Sequence, residues 1–155
     1  MPTEHVFTAK LRWTGTQTAD TPGLKSYTRD YVVETPGKPA VAGSAPAVYL
    51  GDDSRHSPED LLLASLSACH LLAYLALAAR AGIRVLAYSD TASGTLAMKD
   101  NRMRFVDALL RPVVRIERAA QLAEAQALHA KAHDQCFIAS SVNFHVRHEA
   151  LVTAE

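Results

Sequence analysis

Residues 57–70 read SPEDLLLASLSACH, and the fold is decided by how that stretch behaves. Ser57 suits the N-cap of a helix, Pro58 its first position, and Glu59 and Asp60 the positive end of its dipole. From Leu61 onward the residues are almost all apolar, and the run continues to Arg80 with Gly82 beyond it as a stop. The pattern predicts a helix from Pro58 to about Arg80, apolar nearly all the way round and therefore buried on every side. One chain of 155 residues struggles to cover such a helix, whereas a second copy of the same helix would do so. The run approaches membrane-spanning length, but Ser65, Ser67, Cys69, His70 and many alanines suit a protein interior better than lipid. Within it, Cys69 is either a small core residue or the reagent of an enzyme.

Toward the N-terminus, Phe7, Ala9, Leu11 and Trp13 alternate with polar residues, which predicts a half-buried strand over Val6–Trp13. TGTQTADTPG is turn material, and a second strand follows over Ser26–Glu34. Its alternation puts Tyr27, Arg29, Tyr31 and Val33 on one face, an arginine amid aromatic and apolar neighbours. Residues 35–56 read as a long loop with one short edge strand near Ala45–Leu50. Beyond the helix, strand-like stretches flank an Asp100–Asn101 turn, and Pro112 marks an edge or a bulge. Arg118–His133 predicts a second helix, and SSVNFHVRHEALV a closing strand with Val142, Phe144 and Val146 on one side. Strands, buried helix, strands, helix, strand describe an α+β fold, most simply one domain over residues 1–155.

Charge excludes some partners. The formal net charge is zero and the basic residues are scattered, so neither nucleic acid nor an anionic membrane surface is expected. No charged segment followed by an apolar one opens the sequence, which points to the cytoplasm. There, Cys69 and Cys136 are expected as free thiols or a redox pair rather than a permanent disulfide. Glu59 lies ten residues before Cys69, roughly 15 Å of helical rise, so it cannot touch that thiol on its own helix. Were two such helices antiparallel in a dimer, the glutamate would serve the partner's site.

These residues resemble the OsmC/Ohr family of bacterial peroxide-handling proteins. The resemblance rests on SPEDLLLASLSAC, on RFVDALLRPVVRIE and on a second cysteine, in AHDQCFIASS, just after a helix. It implies an OsmC-like fold in which two long central helices are wrapped by antiparallel sheet, an interlocked homodimer with two active sites at its interface. It also implies thiol-dependent reduction of organic hydroperoxides, without a cofactor, reset by a small or protein dithiol. By that resemblance Cys69 matches the peroxidatic cysteine, Cys136 the resolving one and Glu59 the acidic residue of the Pro-Glu motif. Arg29 is the best match for the catalytic arginine, with Arg12 and Arg55 as fallbacks. The chain departs from the best-studied peroxidase branch in carrying Phe137, not proline, after the second cysteine.

The chemistry suits these residue types. A guanidinium favours the thiolate and can stabilise a leaving alkoxide, and a glutamate can orient it. Attack on the peroxide leaves a sulfenic acid on Cys69, which condenses with Cys136 to a disulfide. The other readings are a non-catalytic thiol sensor or small-ligand carrier and, less supported, a thiol hydrolase lacking an evident His–Asp relay.

The histidines read as bystanders. His70 diverges from Cys69 by about 100° round the helix. His129, His133 and Cys136 have the spacing of three metal ligands, but no fourth stands out and histidines suit a helix C-terminus, so no metal is expected. His145 and His148 fall on opposite strand faces and read as surface residues.

Overall fold

The computed structural model describes residues 3–155. The chain divides into two compact units, residues up to Leu61 and Leu62–Glu155. In the first, β1 (Leu11–Trp13), β2 (Tyr31–Val33) and β3 (Val41–Gly43) form an antiparallel sheet in the order β1-β2-β3. These strands are shorter than the alternation predicts. Phe7, at the start of the expected first strand, is 90% exposed, and without an apolar surface to cover, alternation does not make a strand. Arg29 precedes β2 rather than lying in it. The edge strand expected near Ala45–Leu50 falls instead at β3, and Ala47–Tyr49 form a 3₁₀ turn. Gly43 is required where it stands, because a Cβ there would run into the Tyr31 ring across the strand pair.

The central helix, α1, spans Pro58–Arg80. Its start is a reciprocal cap. The Asp60 amide donates to Ser57 Oγ at 3.1 Å, while Asp60 Oδ2 accepts the Ser57 amide and hydroxyl, both at 2.9 Å. The end is a Schellman turn, with Gly82 at φ +68°, its amide on Ala79 O and the Ile83 amide on Ala78 O.

The second unit carries β4 (Val85–Asp90), β5 (Ser93–Lys99), β6 (Arg102–Leu110), β7 (Pro112–Ile116), α2 (Leu122–Asp134), β8 (His145–His148) and β9 (Leu151–Ala154). They make two three-stranded sheets, β4-β7-β9 and β5-β6-β8. Asp100 and Asn101, at φ 51° and 59°, form the two-residue turn joining β5 to β6. The expectation of antiparallel sheet holds only in part, since β8 pairs parallel with β6 and β9 parallel with β7. The reason is α2, which returns the chain after β7 as a crossover and so aligns the strands that follow. Pro112 is not at an edge. It is the first residue of the middle strand β7, a place where its missing N–H costs little.

Two apolar clusters lie along α1. Leu66 packs with Ala108, Leu110 and Val146 of β6 and β8. Tyr74 and Ala78 pack with Ile83, with Val114 and Ile116 of β7 and with Ala125, Leu128 and Ala132 of α2. The helix is not buried on every side. Leu66, His70, Tyr74 and Ala78, each four residues apart, form its buried stripe, and Leu72 is 65% exposed. By length and composition α1 could also cross a membrane, but its buried stripe carries a histidine and a tyrosine that meet polar partners in this fold.

Candidate functional site

Cys69 sits on α1 one position before the buried stripe, half-buried, and Cys136 follows α2 and is 2% exposed. Both are free thiols. The chain end of α2 positions Cys136: its amide donates to His133 O at 3.2 Å, and Cys136 Sγ accepts the Ala139 amide at 3.4 Å. Cys69 is near enough to act on the Cys136 thiol, although no hydrogen bond joins the two. Burial pushes the Cys136 thiol up, the Ala139 amide pulls it back, and contact with Cys69 raises it further. Two thiols from different elements therefore stand in one neighbourhood.

Cys69 opens into an apolar groove of about 530 Å³. Cys69, Leu72, Ala73 and Ala76 of α1 form one wall, Gln135 and Phe137 another, and Arg80 stands at the far end. Phe137 is 80% exposed beside it. The dimensions suit an alkyl or aryl group with its reactive atom against Cys69.

The other expected site residues belong to the first unit or to the first turn of α1. Arg29 is held by nearby carbonyls. Its guanidinium donates to Leu24 O at 2.7 Å, Tyr27 O at 3.2 Å and Leu50 O at 3.4 Å, and lies 4.3 Å over the Tyr27 ring. Arg12 pairs with Glu34 at 3.1 Å. Arg55 lies 3.5 Å from Asp52 and 3.7 Å from Asp30, and it lines the same cleft as Glu59. Glu59 has a buried oxygen, Oε2, without a hydrogen-bond partner, and among the described residues no ion pair joins it to Arg29. Its charge, after burial itself, helps hold the Tyr31 phenol above its usual range.

The histidines are not bystanders. His70 Nε2 and His129 Nδ1 face each other at 3.0 Å with rings 8° from parallel, and both residues are 1% exposed. His148 closes on them, its ring centroid 5.5 Å from His70, 6.2 Å from His129 and 5.8 Å from His133. Burial lowers His70 to about 4 and His129 to about 3, with neighbouring histidines adding to both shifts. The reading of His148 as a surface residue is thus corrected: it is half-buried. The signal was the strand period, since His148 continues the inward series Val142, Phe144, Val146. His70 likewise falls in the four-residue series from Leu66 to Ala78. Among the described residues, no group of three or more histidine, cysteine or acidic side chains is placed to hold a metal ion.

A family model described as OsmC-like protein matches residues 51–150. An OsmC-like protein of unknown function from Vibrio cholerae is 28% identical, with a TM-score of 0.84, 96% of this chain and all of that one being covered. The organic hydroperoxide resistance protein OsmC of Legionella pneumophila is 20% identical at TM-score 0.67, covering 97% of this chain and 99% of its own. The organic hydroperoxide resistance protein OhrB of Bacillus subtilis shares the fold at 18% identity and TM-score 0.60, with 95% and 98% covered. A search of curated proteins finds no match.

Proposed function

The chain belongs to the OsmC-like family, and we propose that it is a cysteine-based, thiol-dependent peroxidase for organic hydroperoxides. The observation that carries this reading is a half-buried Cys69 lining an apolar groove, with Cys136 near enough to feel its charge. Two solved relatives in fold are named for organic hydroperoxide resistance, which agrees with it. The Cys69 thiolate attacks the outer peroxide oxygen, the O–O bond breaks, and the alkoxide leaves as the alcohol after taking a proton. The sulfur, oxidised by two electrons, is now a sulfenic acid. Cys136 attacks it, a disulfide forms, and the hydroxyl departs as water. An external dithiol restores both thiols by exchange and leaves as its own disulfide.

In this reading the whole chain acts as one domain and two copies assemble, each covering the open face of the other's α1. A buried carboxylate oxygen with no donor is costly, and the unpartnered Glu59 Oε2 supports a donor arriving from a second copy. Arg29, held above Tyr27, and Glu59 would then complete the site, with Arg55 beside Glu59 as the substitute.

The experiment is a free-thiol count with intact mass after one equivalent of cumene hydroperoxide, on the wild type, Cys69→Ser and Cys136→Ser. Loss of two thiols, with a sulfenic acid trapped only in Cys136→Ser, is the expected result. Thiols surviving a large excess of peroxide would sink the proposal. Reaction without recycling by dithiothreitol would identify a sensor instead, a reading the ligand-sized groove also accommodates.

A further inference from the structure

His70 immediately follows Cys69 on α1, and His129 of α2 lies seven residues before Cys136, which follows that helix. Their 3.0 Å imidazole–imidazole contact is the one side-chain to side-chain hydrogen bond recorded between these two helices. We propose that the His70–His129 bond is a positioning tether for disulfide closure: it holds α1 against α2 so that Cys69 meets Cys136, and it lets go when both rings are protonated. The inference rests on the two-cysteine reading above and assigns that site a proton-sensitive support.

The argument is one of donors and acceptors. With both rings neutral the bond requires complementary tautomers, one facing nitrogen carrying a proton and the other a lone pair. The outward nitrogens, His70 Nδ1 and His129 Nε2, are buried and have no partner. A first added proton puts a charge where nothing solvates it. A second makes both facing nitrogens donors, and the bond becomes a repulsion.

The surroundings offer no relief. From β8, His148 approaches both rings, and from α2 His133 adds a further potential charge, each acting against protonation of His70. Tyr74 of α1 stacks on His129 at 4.1 Å, and Tyr88 of β4 stands behind it, both neutral phenols. Asp90, the last residue of β4, favours a charged His70, but its oxygens already accept the Ser67 hydroxyl and the Arg111 amide. Asp134 acts on His148 rather than on the pair.

The test uses the full-length protein equilibrated in reduced and oxidised glutathione buffers between pH 7.5 and 4.5, with the Cys69–Cys136 disulfide quantified by acid quench and mass. No peroxide is involved, so the result is independent of peroxidase activity. A fall in the effective concentration of the pair on acidification reports the tether. The fall expected in the wild type is roughly tenfold or more. In His70→Leu/His129→Leu, where both partners become apolar together, closure is expected to persist with a nearly flat profile. A wild type as flat as that variant, or a variant that falls like the wild type, overturns the tether while leaving the two-cysteine reading intact. Closure absent at every pH overturns both. Should the double variant fail to fold, nitrogen-15 spectra of the wild-type rings decide. Single fixed tautomers that lose their mutual hydrogen bond only under acid are expected, and two rings titrating near their ordinary value would end the proposal.

Discussion

The two faces of α1 look alike in composition and behave oppositely. On the closed face, Leu66, His70, Tyr74 and Ala78 are nearly without solvent contact; on the other, Leu72 and Leu75 are exposed and Cys69 borders a groove. The closed face carries His70 and Tyr74 against His129 of α2 and keeps all three uncharged. Burial lowers the two histidines and pushes Tyr74 up to about 12, so none carries charge at neutral pH. The open face keeps its one reactive group reachable and leaves its apolar area uncovered. Hydropathy cannot separate the faces, because leucine and alanine occupy both. What separates them is which side chains find partners in the sheets and in α2.

The largest expected effect lies on the open face. Cys69→Ser should abolish dithiol-dependent consumption of cumene hydroperoxide, by about a thousandfold or more, in a coupled turnover assay. Its stability should hardly change, since the side chain is only half-buried. A variant that retained turnover would move the chemistry to another residue and dissolve the contrast between the faces.

Acid should act on the closed face. The folded values of His70 and His129, about 4 and about 3, lie below the ordinary 6.5, so folding favours their neutral forms. The stability they contribute is complete above the ordinary value and is lost as pH falls from there toward the folded values. At pH 5 each ring has lost about 1.5 pH units of that margin, so the pair together removes about 4 kcal/mol relative to neutral pH. Asp52, Asp60 and Asp107 stay ionised in this window, held below the usual range by hydrogen bonds from Ser54, Ser57 and Arg147 respectively. Urea midpoints at pH 7 and pH 5 measure the loss. Equal midpoints would mean that the rings are solvated in solution and the closed face is not closed.

Much of this was legible beforehand where a local rule and the tertiary demand agree. Ser57, Pro58 and Gly82 bound α1 as helix-terminus chemistry requires, and the Asp100–Asn101 turn joins two strands. Cys69 and Cys136 stand out through a family pattern, and only the fold shows that one acts on the other across 67 positions. What sequence could not weigh is partnership over distance. Alternation at Val6–Trp13 had no sheet to cover and yields only β1, while Arg29 satisfies itself on nearby carbonyls. The histidine seam was hidden for a related reason. His70, His129 and His148 each continue a buried period of their own element, yet histidine is commonly assigned to the surface, and only three elements converging make a cluster.

A matched pair of truncations tests the comparison of faces itself. Leu66→Ala removes a side chain with no exposure and should lower stability by about 3 kcal/mol, because the surrounding β6 and β8 residues cannot collapse into the space. Leu72→Ala removes an equal volume from the open face and should change stability by less than about 0.5 kcal/mol when the protein is dilute enough to be monomeric. If a second copy covers Leu72, the same substitution acquires a cost that grows with protein concentration, because burial then belongs to the assembled state. Chemical denaturation of both variants at low and high protein concentration reads the two terms separately. A Leu72→Ala cost that never depends on concentration would leave the open face to the groove and its occupant, with no second copy upon it.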